Sequence, residues 1–357
     1  MKKASILLSA LIIVVLLAGL VLACSKPEPA TPATPSQPAT PSQPKEAIPL
    51  RLIIPSPGGD PLTVKDMEIA ERFNARAGGS YELKVYPGET LAKVPEYLDA
   101  VRTGAVEIAD IGWPIFAGME PRLGLIELPF LFDTIEGFTS VMDDITTMYD
   151  PVFQEKLNQK VLGGLATGGM ELIGTKPITT LDDWKGTLVG CISPPLAVMA
   201  ELLGAGSQVV MWTDLYSALE KGVVDDGLMG FHGTLMLGIT DVIDYATKFY
   251  SCSGMNGYTI NMDVWNEMPP EIQNILLEEI AATTKEWNQL FIEWDDSDVV
   301  DLEAKGIEVT LLPKAERDKW APFVMPYTEE QLANTGEFGQ KLKQLAENAN
   351  KQFPYSD

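Results

Sequence analysis

The apolar positions of the chain alternate between strand-like runs and helix-like spacing from residue 50 onward. The run LRLII over residues 50–54 predicts a first strand, and residues 63–77 carry apolar side chains at helical spacing. Further strands are predicted over YELKVY and VEIADIG, on either side of a helix that ends at Gly104. This β-α-β-α-β order is typical of a parallel sheet with right-handed crossover connections.

The same alternation begins again near Gly174. Strands are predicted over TLVGC, SQVVMW and VVDDGLMG, and helices over residues 195–203 and over TDLYSALEKG. Residues 269–306 then keep helical spacing for an unusual length, as one helix or as two with a bend. At about 1.5 Å of rise per residue, such a segment runs about 50 Å, the span of two small domains. The pattern therefore predicts two α/β lobes and a long helix along both.

The first 24 residues have a different pattern. A basic start, MKK, precedes an uncharged and mostly apolar run that ends at Cys24. The run is long enough to cross a bilayer, so a membrane anchor is one interpretation. The basic start and the small Ala23 before the cysteine favour a cleaved export signal. Because VLAC resembles the lipobox of bacterial lipoproteins, we predict a signal peptide over residues 1–23, lipidation of Cys24 and an extracytoplasmic location.

The segment after Cys24 is rich in proline and repeats the unit ATPSQP. It has almost no large apolar side chains and so cannot bury a core. Proline at this density favours extended polyproline geometry, with a reach of roughly 60–70 Å at about 3.1 Å per residue. We interpret residues 24–47 as a disordered tether that lifts a folded domain off a membrane; the alternative is a tail without a role.

Composition narrows the function classes. A chain of 357 residues is long enough for two domains. The formal net charge of −24 argues against nucleic acid as a partner, because phosphate recognition needs basic patches, and it fits a monomeric protein. The single histidine excludes multi-histidine metal sites, and the sequence has neither G-x-S-x-G nor C-x-x-C. We therefore expect no enzyme activity, no cofactor and no metal.

Two smaller groups of residues have an ordinary and a functional interpretation. Asp295, Asp296 and Asp298 suggest a cation site, but a solvated helix face is favoured because consecutive carboxylates diverge around a helix. Cys191 and Cys252 can pair in an oxidising compartment. We expect two free, partly buried thiols instead.

The segment LLGAGSQVVMWTDLYSALEKGVVDDG, residues 202–227, resembles the DctP family of solute-binding proteins of TRAP transporters. Shorter segments such as IELPFLFD, KPITTLDDWKG and VWNEMPPEIQ follow in family order. The resemblance implies a two-lobed, flytrap-like α/β fold that closes on a small organic solute and delivers it to a cation-driven membrane permease. A chemosensory lipoprotein that reports to a receptor is the alternative, and a cleft enzyme is a weaker one.

The resemblance and the element order together predict the lobes and the hinges. Lobe I is predicted to hold residues 48–172 and 254–286, and lobe II residues 173–253 and 287–357. Hinges are expected where the chain crosses between the lobes, near residues 171–176 and 251–256.

Ligands of such sheets bind beyond the carboxyl ends of the strands, which predicts a set of contact residues. Aromatic members of this set have core packing as their ordinary interpretation, and a lone histidine is more often packed or exposed than bound to ligand. Trp113 and Trp212 are favoured first, because they follow strand ends directly. The full predicted set is Ser56, Gly58, Trp113, Gly190, Trp212, Asp214, Tyr216, Phe231, His232 and Asn256.

The resemblance breaks at two positions. Family members usually have an arginine in the strand after the D-x-K-G turn, where it grips a ligand carboxylate, but this chain has Gly190 there. The family has Asp-Gly after Val-Val, whereas here Asp226 intervenes before Gly227. Another cation, Arg122 or Arg51, can replace the arginine, or the ligand lacks a carboxylate at that place. We expect the latter, hence weak binding of C4-dicarboxylates and preference for a solute with an apolar or aromatic body.

Overall fold

The computed structural model describes residues 46–356. The predicted signal peptide, the lipidation site Cys24 and nearly all of the tether therefore lie outside the described residues. Within the described part, no helix combines the length and the apolar character needed to cross a membrane.

The described chain alternates between strands and helices, as the sequence pattern predicts. The strands are β1 Ile48–Ile54, β2 Tyr81–Pro87, β3 Ile108–Gly112, β4 Gln159–Gly169, β5 Glu171–Gly174, β6 Leu188–Cys191, β7 Gly206–Val209, β8 Asp226–Met229, β9 Tyr245–Lys248, β10 Ser253–Asn261 and β11 Glu308–Leu311. The helices are α1 Pro61–Arg76, α2 Tyr97–Arg102, α3 Ile135–Ser140, α4 Met142–Leu157, α5 Pro194–Leu203, α6 Leu215–Glu220, α7 Phe231–Met236, α8 Met262–Glu267, α9 Pro270–Ala304, α10 Lys314–Asn334 and α11 Glu337–Gln352.

Lobe I is built on a five-stranded sheet in the order β2-β1-β3-β10-β4. As predicted, β1 pairs in parallel with both β2 and β3. Helix α1 begins where the Asp60 side chain accepts a hydrogen bond from Leu62 N and Pro61 takes the first turn. It ends before Gly78, whose positive φ of 60° suits glycine. Strand β10 runs antiparallel to β3 and β4, a feature that the sequence pattern did not predict.

Lobe II is built on a six-stranded sheet in the order β11-β9-β5-β8-β6-β7. Strand β6 is parallel to β7 and β8, whereas β5 is antiparallel to β8 and β9. Both antiparallel insertions, β10 in lobe I and β5 in lobe II, arrive from the other lobe. Two sheets joined by crossing strands confirm the predicted two-lobed fold.

The long helical segment is a single helix, α9, of 35 residues. It contacts lobe I through Trp287 Nε1, which donates to Ala166 O at 3.1 Å. It contacts lobe II through Asp295, whose carboxylate lies 2.7 Å from Lys248 Nζ, and through Asp298. The solvated face predicted for the aspartates is therefore correct only for Asp296, whose side chain is 98% exposed, because the other two turn toward lobe II.

The C-terminal helices return to both lobes. Trp320 and Val324 of α10 belong to the hydrophobic cluster of lobe II, whereas Leu342 and Ala346 of α11 belong to that of lobe I. The predicted lobe boundaries stay a prediction, and this packing favours placing residues 337–352 with lobe I.

The chain crosses between the lobes at residues 169–171 and 249–253. The Glu171 carboxylate joins the two crossings, because its Oε2 accepts from Phe249 N at 2.6 Å and from Tyr250 N at 2.8 Å. Residues 172–174 and 254–256, which the sequence-based prediction placed in the hinges, lie inside β5 and β10. That lobe closure bends the chain at these crossings stays a prediction.

Both cysteines of the described chain are free thiols. Cys191 and Cys252 lie in one hydrophobic cluster of lobe II, and both are fully rather than partly buried. Burial raises the pKa of Cys191 to about 12 and the pKa of Cys252 well above its usual value, so both thiols are protonated.

Candidate ligand-binding site

A cavity of about 180 Å³ lies between the two sheets, beyond the carboxyl ends of β1, β3, β6 and β8. This is the place where open α/β sheets bind ligands. Its volume is similar to that of an apolar cavity of about 150 Å³ that holds benzene, so it has room for a small ring. Its walls come from both lobes, from Met170 in the first crossing and from helix α9.

The walls are mostly apolar. Trp212 of lobe II and Trp287 and Phe291 of α9 contribute aromatic surface. Four methionines line the cavity, and their unbranched side chains adapt to ligands of irregular shape. The other large apolar residues are Leu62, Ile111, Ile115, Ile192 and Leu237.

The ionisable groups of the cavity wall are mainly acidic. Two carboxyl groups, those of Asp60 and Glu127, line the cavity, whereas none of its described lining residues is lysine or arginine. Burial raises the pKa of Asp60, opposed in part by hydrogen bonds from the backbone of α1. The other polar side chains are those of Ser56, Thr167, His232 and Asn256.

Glu127 is the most enclosed of these groups. The residue is only 5% exposed and stands between apolar neighbours in the sequence LIELPF. Its Oε2 is buried and has no hydrogen-bond partner among the described residues. Burial raises the pKa of Glu127 to about 7, partly opposed by the nearby Ser193 hydroxyl. A buried acceptor without a partner is costly, and a hydrogen-bond donor that reached this oxygen would remove that cost.

His232 projects from α7 and is fixed by helix α9. Its ring stacks on Trp294 at a centroid distance of 3.9 Å and meets Phe291 edge-on. Its Nδ1 lies 3.3 Å from Asp298 Oδ1, and its Nε2 is buried without a partner among the described residues. The Asp298 carboxylate faces any positive charge on this ring, so the pair brings no net positive charge to the cavity.

Asn256 is oriented by the buried carboxyl group of Asp110 in lobe I. Its Nδ2 donates to Asp110 Oδ1 at 3.2 Å. Nearby, Tyr258 donates its hydroxyl to Asp66 Oδ1 at 2.7 Å. Burial raises the pKa of Asp110 to about 7 and that of Asp66 well above its usual value. This network fixes one polar side chain at the cavity wall.

Four of the predicted contact residues line the cavity: Ser56, Trp212, His232 and Asn256. Six others do not. Gly58 and Asp214 are exposed, Tyr216 packs on the core of lobe II, and Phe231 is buried beside a smaller pocket of lobe II. That the four lining residues bind ligand stays a prediction.

Trp113 requires a correction. The residue is 0% exposed and packs against Tyr149 and Phe153 in the core of lobe I, with ring centroids 5.3 and 4.8 Å away. Gly257 on the adjacent strand β10 leaves room for the indole, because a Cβ there would lie 2.2 Å from the ring. The residue does follow a strand end, but its side chain points away from the cavity.

The two candidate replacement cations are engaged elsewhere. Arg51 pairs with Glu107 at 2.6 Å, and Arg122 pairs with Glu120 at 2.8 Å. Neither arginine lines the cavity. In this structure the charge expected from an arginine at 190 has therefore not moved to Arg51 or Arg122.

Gly190 itself faces the core of lobe II. A Cβ at this position would lie 3.0 Å from Leu215 Cδ1 and 3.3 Å from Val224 Cγ2. Gly227, its partner on β8, is equally close to Leu215, so the two glycines leave the space that the Leu215 side chain fills. Ile192, two residues beyond Gly190, faces the cavity instead. Gly190 is therefore not a ligand contact, because any side chain there points at Leu215.

We expect Gly190→Ala to destabilise the protein by about 1–3 kcal/mol, because the added methyl group crowds the Leu215 side chain. Gly190→Arg should cost more and should not create succinate binding. Urea unfolding and calorimetry measure the two effects. Gly118→Ala is the matched control, since a Cβ there meets nothing within 4 Å. Succinate binding by a folded Gly190→Arg variant would contradict this orientation.

Comparison with known proteins shows the family of this chain. Residues 59–335 match the DctP family, described as bacterial extracellular solute-binding protein, family 7. The chain belongs to this family. Its relatives include the C4-dicarboxylate-binding protein DctB of Bacillus subtilis (strain 168), 26% identical over 71% of this chain and 73% of the relative. The C4-dicarboxylate-binding periplasmic protein DctP of Rhodobacter capsulatus is 27% identical over 75% of this chain and 81% of the relative.

A solved structure of similar fold is DctP7 of Bordetella pertussis, described as an extracytoplasmic solute receptor binding pyroglutamic acid. It superposes with a TM-score of 0.79 at 20% identity, covering 84% of this chain and 100% of that one. The DctP resemblance and the two-lobed fold predicted from the sequence are both confirmed.

Several lining residues of this DctP-family protein were not predicted from the sequence. Glu127 could have been found from the sequence, since a lone glutamate inside an apolar run indicates a buried carboxyl group. Trp287 and Phe291 were assigned only to the apolar face of the long helix, because nothing in their spacing indicates which part of that face borders a cavity. The four methionines, Met170, Met229, Met236 and Met255, carried no signal that separates them from core residues.

Proposed function

We propose that this protein is the solute receptor of a TRAP-type secondary transporter. It captures a small organic solute between its lobes, closes, and delivers the solute to membrane permease subunits. The observation that carries the proposal is the cavity itself, whose walls come from both lobes, a crossing segment and helix α9. A ligand that contacts all of these walls favours the closed arrangement over the open one, which is how ligand binding drives hinge closure.

We also propose that the receptor is held at a membrane by lipid on Cys24. The apolar run before VLAC and the proline-rich segment after it support this arrangement. Two acyl chains and an amide-linked chain give stable attachment. The tether then lets the lobes reach a permease in the same membrane.

The solute is proposed to differ from the C4-dicarboxylates named for the relatives. A dicarboxylate would enter a cavity that offers Asp60 and Glu127 and no lysine or arginine among the described lining residues. Burying a carboxylate beside carboxylates without a cation is strongly unfavourable. We therefore expect weak or no binding of succinate and malate.

The test combines a thermal-shift screen of the full chain with small-angle scattering. Organic acids, amino acids, amines and neutral solutes are screened, and each ligand found is confirmed by calorimetry. We expect at least one solute to raise the melting temperature, to reduce the radius of gyration and to be recovered unchanged. Chemical conversion of the solute, or saturated binding without compaction, would contradict a receptor that works by lobe closure.

A further inference from the structure

The cavity has an electrostatic character opposite to that needed for an anion. Its described lining residues include the carboxyl groups of Asp60 and Glu127 but no lysine or arginine. The remaining ionisable group, His232, faces the Asp298 carboxylate at 3.3 Å. A negative solute would therefore lose its water without gaining a cation, whereas a positive solute gains two carboxylates.

Glu127 supplies a second and independent observation. The residue lines the cavity and is more than nine-tenths buried, and its Oε2 has no hydrogen-bond partner among the described residues. An unmade hydrogen bond at a buried acceptor costs about 1–3 kcal/mol and more for a charged group. A donor on the solute removes this cost, and a cationic donor removes it most effectively.

The apolar walls fit the rest of such a solute. Trp212, Trp287 and Phe291 bring aromatic surface to the same cavity as the two carboxyl groups. Aromatic faces attract ammonium groups, and most strongly where water is excluded. The methionine side chains adapt to the shape of an apolar body. The volume of about 180 Å³ limits that body to about one ring.

We propose that the solute is an organic cation, a protonated amine on an apolar or aromatic body, whose ammonium group binds at Glu127 in the cavity that Asp60 also lines. The inference rests on the proposed receptor function and names the class of solute for that site. Glu127 is the principal partner, because its free oxygen is fully enclosed. Asp60 contributes less, because its Oδ1 already accepts from Leu62 N at 2.9 Å to cap helix α1.

The test uses three probes with one phenylpropyl body and different charge: 3-phenylpropylammonium, 3-phenylpropanamide and 3-phenylpropanoate. Calorimetry on the full chain should show that the ammonium compound binds about tenfold to a hundredfold tighter than the amide, as a charge-assisted hydrogen bond predicts. The carboxylate should show no measurable binding.

Variants assign the effect to the carboxyl groups. Glu127→Gln should weaken binding of the ammonium probe by about tenfold or more and leave the amide within about threefold. Asp60→Asn, which keeps a capping side chain, should give a smaller loss of the same sign. Glu82→Gln, the same change at an exposed position, should have no effect. Circular dichroism and melting confirm that each variant is folded.

The outcomes separate this inference from the receptor function. If the carboxylate binds as tightly as the ammonium probe and the lobes compact, the receptor function stands and the cation inference is overturned. The inference is also overturned if no probe binds, or if Glu127→Gln binds the ammonium probe like the unchanged protein. If the broad solute screen also finds no ligand, the receptor function fails as well.

Discussion

Replacing Arg317 with methionine is expected to lower the free energy of unfolding by about 3–5 kcal/mol. The guanidinium group is almost fully enclosed, with a side-chain exposure of 7%. It donates to Phe249 O at 2.9 Å, to Tyr250 O at 3.2 Å and to Asp133 Oδ1 at 3.0 Å. Methionine fills part of the volume but leaves two buried carbonyl groups and one carboxylate without this donor.

The position of these carbonyl groups explains the size of the effect. Phe249 and Tyr250 form the crossing between β9 and β10, and Tyr250 has a positive φ of 49°, which a non-glycine residue adopts only when its surroundings hold it. Arg317 holds this crossing from one side, and the Glu171 carboxylate accepts the backbone N–H groups from the other. Loss of Arg317 therefore loosens the connection between the lobes as well as local packing.

Urea unfolding of the two proteins measures the loss. Arg317→Lys keeps the charge but not the planar arrangement of guanidinium N–H donors, so most of the loss in the free energy of unfolding should remain. Arg102→Met is the control, because Arg102 is exposed and its ion pair among residues 46–356 is with Asp99, one helix turn away. That change should cost less than about 1 kcal/mol. An Arg317→Met variant as stable as the control would show that the crossing does not depend on the guanidinium group.

The regular elements of both lobes follow from local patterning. Strand β2 and helix α5 were predicted almost to the residue, because alternation and a proline start define them locally. The antiparallel insertion of β10 into lobe I was not predicted. Its sequence is that of an ordinary strand, and its direction depends on a crossing about 80 residues after the first one. Local periodicity contains no information on that distance.

The candidate site also depends partly on local pattern and partly on long-range packing. Trp212 and His232, two of the predicted contact residues, line the cavity, and both follow strands at the edge where ligands bind. Trp113 follows a strand in the same way, yet its ring turns into a space left by Gly257 on another strand. The direction of a side chain after a strand end depends on the room its neighbours leave, and that room is a tertiary property. Gly190 was wrongly predicted to contact ligand for the same reason, because a side chain at this position faces Leu215 rather than the cavity.

Arg317 was not predicted at all. It lies among charged residues in the sequence PKAERDKW, where an exposed helix face is the natural interpretation. Its burial depends on the crossing at residues 249–250 and on Asp133, which come from distant parts of the chain. A buried charge of this kind is visible only when its partners are in place.

The stability of the protein is expected to fall as the pH rises from about 5.5 to 8. Burial raises the pKa of Glu171 to about 8 from an ordinary 4.5 and the pKa of Asp226 to about 7 from 3.8. Glu127 and Asp110 are raised in the same direction, to about 7 each. Between the unfolded and the folded pKa values, the native state binds more protons than the unfolded state. The free energy of unfolding therefore decreases with rising pH, by up to about 1.4 kcal/mol per pH unit for each such group.

Salt-bridged carboxylates produce the opposite pH dependence. Their pKa values are lower in the folded state, so they stabilise the protein at pH values above their unfolded pKa. Here the stabilisation is fully present below the unfolded pKa and is lost as the pH passes the folded pKa. The net charge of −24 adds to the trend, because self-repulsion grows as the remaining carboxyl groups ionise. Urea unfolding at pH 5.5, 6.5, 7.5 and 8.5 gives the slope directly.

Asp226→Asn should flatten that slope. The residue is 1% exposed, and neither of its carboxylate oxygens makes a hydrogen bond of good geometry among the described residues. The nearby backbone N–H groups of Thr175 and Lys176 oppose only part of the rise in its pKa. An amide keeps the shape without the charge, so the variant should be more stable than the unchanged protein by about 2–4 kcal/mol at pH 8, with a smaller gain at pH 5.5. Asp182→Asn, at a side chain that is 85% exposed, should leave the slope unchanged. A gain from Asp226→Asn that is the same at both pH values would mean that Asp226 does not titrate in the native protein near neutral pH.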